Sequence, residues 1–563
     1  MRHLLYATLL LAGCSAIVDD NTQQCTQASD CASLGAGMTC SDNVCTMPLG
    51  EIPAAECTTN DECTSKRGAG FTCNTTSQMC VKSGCAKNSE CTNTLGKAGL
   101  CRPDGMCQPL FTKECTDVYP NDAELSDDMF LVGFMGAIRG NGKDYGEAQL
   151  KGEQLALDEI QNNLGGLPGV GAGAKRNLAI LVCDHGADDA DPNAIGEHLV
   201  NELQLPAILG ASFSGVTIGA YRKAVARNVL VFSPAATSPE ITELDAPNTD
   251  LMWRTVPSDV VQGGALKLVV ALVTKTLRDK GVLTANQAPV VAMPWKDDPA
   301  GFGLYTATFN GVNAVNGDPS KYAPMALSDP AQAALLAKKI VDAAPHIVLH
   351  LGTSEFVQYV MPLIEQSWTA AHRPWYVVPE GDLEELKQTK ASFDMITKYE
   401  LTTRMIGTTP GGRRTDQYRQ FRGSFGAEPG NLAEFAYDAV YLLAYAIAAA
   451  DKQVPTGAEL ATGLRKMSCK TGLKVQPGAG FTAAWNAARM GCIDYSGPSG
   501  ELDFDKFGES ETDVSVGCFR KAGDKHEYVR LDTYYSIGSK TLATYKSLPL
   551  DLNSPGWCTP FTP

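Results

Sequence analysis

Fourteen of the 19 cysteines lie in the first 115 residues, and that crowding decides how the front of the chain can fold. Twelve of them form a threefold repeat: Cys25, Cys31, Cys40 and Cys45; Cys57, Cys63, Cys73 and Cys80; Cys85, Cys91, Cys101 and Cys107. Five residues separate the first two cysteines of every set, and an acid (Asp30, Glu62 or Glu90) precedes each second one. Modules of about 20 residues cannot bury a core, so covalent bridges must take its place. Zinc is the rival reading, but the paired C-x-x-C knuckles of zinc ribbons are absent and no metal is expected. Residues 25–116 therefore read as disulfide-rich modules (25–45, 57–80 and 85–107), with two bridges and three possible connectivities in each. Such a region serves as a stalk or as a protein-interaction surface.

The start of the chain agrees with an oxidising compartment. Arg2 and His3 precede the apolar run Leu4–Leu11, which leads into Leu11-Ala12-Gly13-Cys14. A charged start, an apolar stretch and a small-residue site make a secretory signal. The last four residues resemble the bacterial lipobox, which implies a signal peptide over 1–13, lipidation of Cys14 and a tether over 14–24. No later apolar run reaches the roughly 18 residues that span a bilayer, so anchoring by lipid alone is expected, at a bacterial membrane facing the periplasm or the cell surface. The net charge of −16 argues against nucleic acid. Six cysteines remain: Cys115, Cys183, Cys469, Cys492, Cys518 and Cys558. Cys469 and Cys492 would close a local loop, and Cys115 and Cys558 flank the large domain and are candidates to staple its ends.

From Met129 the texture becomes α/β. Strand-like runs at Met129–Ile138, Leu178–Val182, Ala207–Leu209 and Val229–Phe232 alternate with helical patterns. Pro257–Lys280 reads as a long helix that leaves this lobe. A second set follows, with strands at Pro289–Met293, Tyr322–Leu327, His346–Leu351 and Trp375–Val378. Such alternation argues for parallel sheets with right-handed crossovers, and two sets argue for two Rossmann-like lobes joined by a hinge. The helix Asn431–Ala450 is expected to return to the first lobe, and Gly497–Phe504 to open a β-rich end.

Chemistry concentrates in Gly210–Thr242. Strand C-termini and helix N-termini there would share a crevice that favours an anion, with Ser212, Ser214, Ser233 and Thr237 as hydroxyl donors. Ordinary capping of a βα turn is the competing explanation. Glu380 follows a strand where the second lobe ends and would face that anion site. An anion site opposite a carboxylate describes a zwitterion, that is, an α-amino acid. Tyr145 and Phe302, each followed by glycine, are placed to close over it. Other motifs fall short. The glycines from Gly169 lie after a helix rather than after a strand. Gly210-Ala-Ser-Phe-Ser-Gly lacks the second glycine of a nucleophile elbow. The acids Asp184, Asp188, Asp189 and Asp191 lack calcium-loop spacing, and His346 and His350 read as structural. No catalytic constellation is complete and no cofactor is implied, so an enzyme is not expected.

These residues resemble the type I periplasmic binding proteins, in the leucine/isoleucine/valine-binding branch. The likeness rests on Tyr145-Gly146, Gly210-Ala-Ser-Phe-Ser, Ser233-Pro-Ala-Ala-Thr-Ser-Pro-Glu-Ile-Thr, Pro379-Glu-Gly and Gly497-Pro-Ser-Gly-Glu-Leu-Asp-Phe-Asp. It implies that Ser214, Ala235 and Thr237 hold a ligand carboxylate, that Glu380 holds the ammonium, and that Tyr145 lines the first lobe. Phe302 stands where the family has a tyrosine, and Phe213 where it has a cysteine. The resemblance covers roughly Met129 to Asp505, and a two-lobed ligand-binding domain is expected over 127–545, followed by a tail over 546–563. It further implies solute capture for an ABC transporter permease or for sensing. The alternative is a surface scaffold whose Cys-rich modules bind a partner protein around a vestigial pocket.

Overall fold

Short helices, short antiparallel ribbons and disulfides, rather than a core, build the first part of the chain. The computed structural model describes residues 25–31, 39–41, 44–46, 56–67, 71–75, 78–82, 84–120, 126–127, 129–140, 142–186, 189–244, 249–312, 321–323, 327–380, 383, 386, 390–411, 415–478, 480–523, 525–545 and 549–558. The signal peptide, Cys14 and the tether lie outside them. The chain divides into two units, Met1–Ala86 and Lys87–Pro563.

In the first unit, a helix Asn60–Arg67 is followed by an antiparallel ribbon, Phe71–Asn74 with Met79–Lys82. Bridges Cys57–Cys73 and Cys63–Cys80 join helix and ribbon, which selects the first-to-third, second-to-fourth connectivity. Cys25–Cys40 follows the same rule. The recurring acid before the second cysteine has a local purpose. Glu62 accepts from the Thr58 N–H (2.7 Å) and Asp30 from the Thr26 N–H (2.9 Å), so each satisfies donors that a helix start leaves orphaned.

The second unit begins with the third module, whose bridge Cys91–Cys107 repeats the second-to-fourth pairing. The module packs on the first lobe. Leu110 is buried in a cluster with Leu181, Leu199 and Leu203, and Ala98 and Leu100 lean on it. Asn88 and Ser89 donate to the Ser126 carbonyl and Asp127. The unit thus starts at Lys87, forty residues ahead of the expected 127.

The first-lobe sheet runs Met252–Arg254, Leu230–Ser233, Ala207–Gly210, Phe130–Gly136, Leu178–Asp184, Cys115–Tyr119. All neighbours are parallel except the last strand, which pairs antiparallel with Leu178–Asp184. That edge carries Cys115–Cys183, and Cys558 pairs with Cys518 inside the second lobe. The expected Cys115–Cys558 staple is therefore incorrect: each end is tied to its own lobe. Cys469–Cys492 forms as expected.

The helix Asp259–Asp279 crosses to the second lobe and lays Leu266, Val269, Val270 and Val273 beneath Ile347, Leu349, Val377 and Ile406. The second sheet runs Val291–Ala292, Ile347–Leu349, Trp375–Val378, Met405–Pro410 in parallel, then Val514–Ala522, Lys525–Ser536 and Thr541–Thr544 antiparallel. The expected strand Tyr322–Leu327 does not join it. Among the described residues Lys321–Tyr322 pairs only with Trp295–Lys296, and residues 324–326 lie outside them. The helix Ala433–Ala450 returns to the first lobe with residues 433–448 all buried, as an all-round apolar helix must be. This helix and Asp259–Asp279 are both long and apolar enough to cross a membrane, contrary to the sequence reading. Their apolar windows are 89% and 56% buried within the protein, where they serve as core helices.

Candidate functional site

The hydroxyl loops of the first lobe fold against each other. Ala207–Gly210 ends at Ser212, whose hydroxyl donates to Gln149 Oε1 (2.8 Å) and accepts from the Ala137 N–H (3.3 Å). Ser214 opens the helix Ser214–Ala224 and is buried, its Oγ accepting from the Ser238 N–H at 3.2 Å. Ser233 ends the neighbouring strand, donates to the Ala211 carbonyl, and accepts from the Ala235 and Ala236 N–H groups (3.3 and 3.0 Å). Ser233 thus ties the two loops together, which is the capping role that competed with a binding one. Ser214, Ala235 and Thr237 end on one patch at a helix N-terminus, where a negative charge is favoured.

A residue that sequence reading passed over fixes this patch. Arg254 is fully buried, and its guanidinium donates to the Ala236 and Ser238 carbonyls (3.1 and 2.9 Å), to Thr242 Oγ1 and to Glu509. It pins the 233–242 turn to Glu509.

The acidic wall holds a second unforeseen group. Asp259, at the first turn of the crossover helix, is 1% exposed, and its N–H donates to the Thr237 carbonyl (2.8 Å). Neither carboxylate oxygen takes a well-formed hydrogen bond. Burial, then the neighbouring Glu380 charge, hold its pKa well above the usual carboxylate range, against a partial contact with the Thr237 hydroxyl. Glu380 Oε2 accepts from Gln262 Nε2 (2.6 Å), which also reaches Thr408 Oγ1. The structure therefore links Ser214, through Ser238, to the turn that carries Ala235 and Thr237, Thr237 to Asp259, and Asp259 to Glu380. Two adjacent carboxyl groups, one of them orphaned, call for a proton or a cation. An Asp in the first turn of a helix is ordinary in sequence. Only burial reveals the rest.

Aromatics stand at the mouth. Tyr145 and His185 both lean on Phe213, with ring centroids 5.9 and 5.7 Å away. Lys296 Nζ, from the second lobe, lies 5.9 Å over the same ring. Lys296 is paired with Glu355 and Asp298 (3.2 and 3.3 Å). Phe302 is 52% exposed and leans on Trp295, so its side chain does not join the others. Its neighbour Gly303 does: a Cβ there would meet Pro239 Cδ at 2.4 Å and Asp259 Oδ2 at 3.0 Å. The two lobes touch at that glycine.

The remaining candidates have structural partners. Cys183 is in a disulfide. Asp184 is buried rather than solvated and accepts from the Ile138 and Gly186 N–H groups and Arg139. His346 Nδ1 accepts from the Val290 N–H, and His350 Nε2 bonds the Tyr322 hydroxyl. Sulfurs of Cys57, Cys63 and Cys73 lie within 4.8 Å of one another because two bridges pack together.

Comparison with known proteins agrees with this architecture. The family profile described as "Periplasmic binding protein" matches residues 131–492. No curated protein matches the chain. Among solved structures, the branched-chain amino acid transporter substrate binding protein LivJ of Streptococcus pneumoniae, in complex with isoleucine, superposes with a TM-score of 0.51 at 18% identity, over 71% of this chain and 99% of its own. The leucine binding protein LivK of Thermotoga maritima gives 0.52 at 15%, over 74% and 99%. A solute binding protein of an ABC transporter from Rhodopseudomonas palustris, in complex with 3,4-dihydroxybenzoic acid, gives 0.51 at 14%, over 72% and 96%.

Proposed function

Because the chain belongs to the periplasmic binding protein family, an exported solute-binding class, we propose that it captures a small amino acid between its lobes. The ligand would be held for an ABC transporter or for sensing, by a protein anchored through lipid on Cys14. Neighbours of this fold hold both an amino acid and an aromatic acid, so the fold leaves the ligand class open. The observation that carries our reading is the acid pair Asp259–Glu380 beside the hydroxyl loop. The Glu380 carboxylate repels an acid that brings only negative charge, and an arriving ammonium would favour the ionised form of Asp259 as well. In this reading the Ser214 and Thr237 hydroxyls and the helix N-terminus take the ligand carboxylate, while Glu380, supported by Asp259, takes the ammonium. Tyr145 and Phe213 border the side-chain space.

Thermal unfolding of the oxidised chain lacking residues 1–23, against amino acids, their amides and hydroxybenzoates, tests this. A ligand at about a hundred times its Kd adds roughly 2.7 kcal/mol. A saturable shift with an amino acid that disappears in Glu380→Gln supports the reading. A shift with hydroxybenzoates alone would replace the ligand class. No shift with any compound would favour the scaffold function, in which the Cys-rich modules bind a partner protein.

A further inference from the structure

On the outer side of the first lobe, a cavity of about 420 Å³ opens between the end of helix Lys143–Asp158, helix Asp416–Phe425 and the return helix. None of the residues Ser214, Ala235, Thr237, Asp259 or Glu380 lines it. The volume falls in the range of small-molecule sites.

Glu159 faces this cavity half-buried. Its Oε2 accepts the hydroxyls of both Tyr437 and Tyr441, the latter at 2.7 Å. Burial, helped by the Glu159 charge, holds both phenols well above their usual pKa, so they stay protonated and can only donate to it. Oε2 is thereby saturated. Oε1 takes no hydrogen bond and Glu159 forms no ion pair among the described residues. Among the described residues no lysine, arginine or histidine lines the cavity, whereas Gln417, Gln420, Asn163 and Ser424 offer polar atoms around it. A carboxylate with one oriented, unfilled oxygen at the wall of a polar cavity is half of a charge-assisted pair.

We propose that this cavity is a second binding site, for a small organic cation bearing N–H donors, such as an alkylammonium or a guanidinium. Calcium is disfavoured because one carboxylate supplies too few oxygen ligands. A quaternary ammonium is disfavoured because Phe421 and Tyr437 are only 3% and 4% exposed and present too little ring face for an aromatic cage.

Calorimetry on the full oxidised chain tests this, with methylguanidinium and 1,4-diaminobutane as probes and tetramethylammonium as the control of equal charge per centre. Saturable binding of at least one probe is expected, with tetramethylammonium weaker. Glu159→Gln keeps an oxygen for the two tyrosines and removes the charge, so affinity should fall at least about tenfold. Gln420→Lys, at an exposed position on the rim, should weaken binding similarly without touching the tyrosine bonds, and it decides the matter if Glu159→Gln does not fold. Glu380→Gln should leave the probe affinity unchanged. The proposal is overturned by absence of saturable heat with either probe, by unchanged affinity in Gln420→Lys and in folded Glu159→Gln, or by loss of binding in Glu380→Gln.

Discussion

A guanidinium shut off from water must place its five N–H donors inside the protein, and Arg254 places four of them on two carbonyls, Thr242 and Glu509. Removing it strands Glu509 and both carbonyls at once. Arg254→Met should therefore lower the unfolding free energy by about 3–5 kcal/mol, measured by urea titration; a loss below about 1 kcal/mol would mean that the turn holds itself. Asp438 is the complementary acidic case. Burial raises its pKa to about 7, although Ser499 and Tyr495 donate to it. A carboxyl raised above its unfolded value near 3.8 supplies stability that is fully present below that value and is lost as pH rises through about 7. The gap in stability between wild type and Asp438→Asn should thus change by about 1.4 kcal/mol per unit across this window. A constant gap from pH 4 to 7.5, in parallel denaturations, would show that Asp438 does not titrate there. Neither Arg254 nor Asp438 announces itself in sequence, because an Arg at the end of a strand and an Asp in a helix are ordinary until burial is known. The sequence singled out Ser214, Ala235, Thr237 and Glu380 as candidates because they sit in turns with a recognisable chemistry.

At the level of elements, periodicity made the central strands and both long helices legible to within a few residues. Phe130–Gly136 and Ala433–Ala450 are so apolar that only a core can hold them. Met405–Pro410 was missed, since its Met-Ile-Gly-Thr-Thr-Pro mixes small and hydroxyl residues and carries no clear period. The strands Val514–Ala522 and Lys525–Ser536 were seen only as a β-rich end, because antiparallel partners are chosen by tertiary pairing. The third Cys module misled most. Its cysteines repeat the first two modules, yet Leu110 and Val118 carry it into the first lobe. This has a consequence for truncation. A chain starting at Lys87 should keep the melting transition of the large unit. A chain starting at Asp127 loses the bridge to Cys183, the edge strand and two buried side chains, and should fall by at least about 4 kcal/mol. Equal melting temperatures for both chains in calorimetry would mean that the module is only attached and not integrated.

For the whole molecule, two lobes joined by several connections have one soft coordinate, the angle between them, and small contacts at the cleft set its resting value. Gly303 is one such contact. Its φ demands no glycine, but a Cβ would sit 2.4 Å from Pro239 Cδ, on the opposite lobe, and 3.0 Å from Asp259 Oδ2, at the start of the crossover helix. Gly303→Ala therefore strains the arrangement in which the lobes touch and leaves a separated one untouched. Overpacking of this kind costs about 1–3 kcal/mol, and a shift of 1.4 kcal/mol already changes a two-state ratio about tenfold. The variant should show a larger radius of gyration by solution scattering, while each lobe keeps its far-ultraviolet circular dichroism. It should also bind any cleft ligand more weakly, since the closed form pays the strain. The methylguanidinium site at Glu159, contained within the first lobe and its C-terminal turns, should be indifferent to it. If scattering is unchanged and the thermal transition drops instead, the strain is being absorbed within the second lobe, and Gly303 is a packing residue rather than the stop that sets the closing angle.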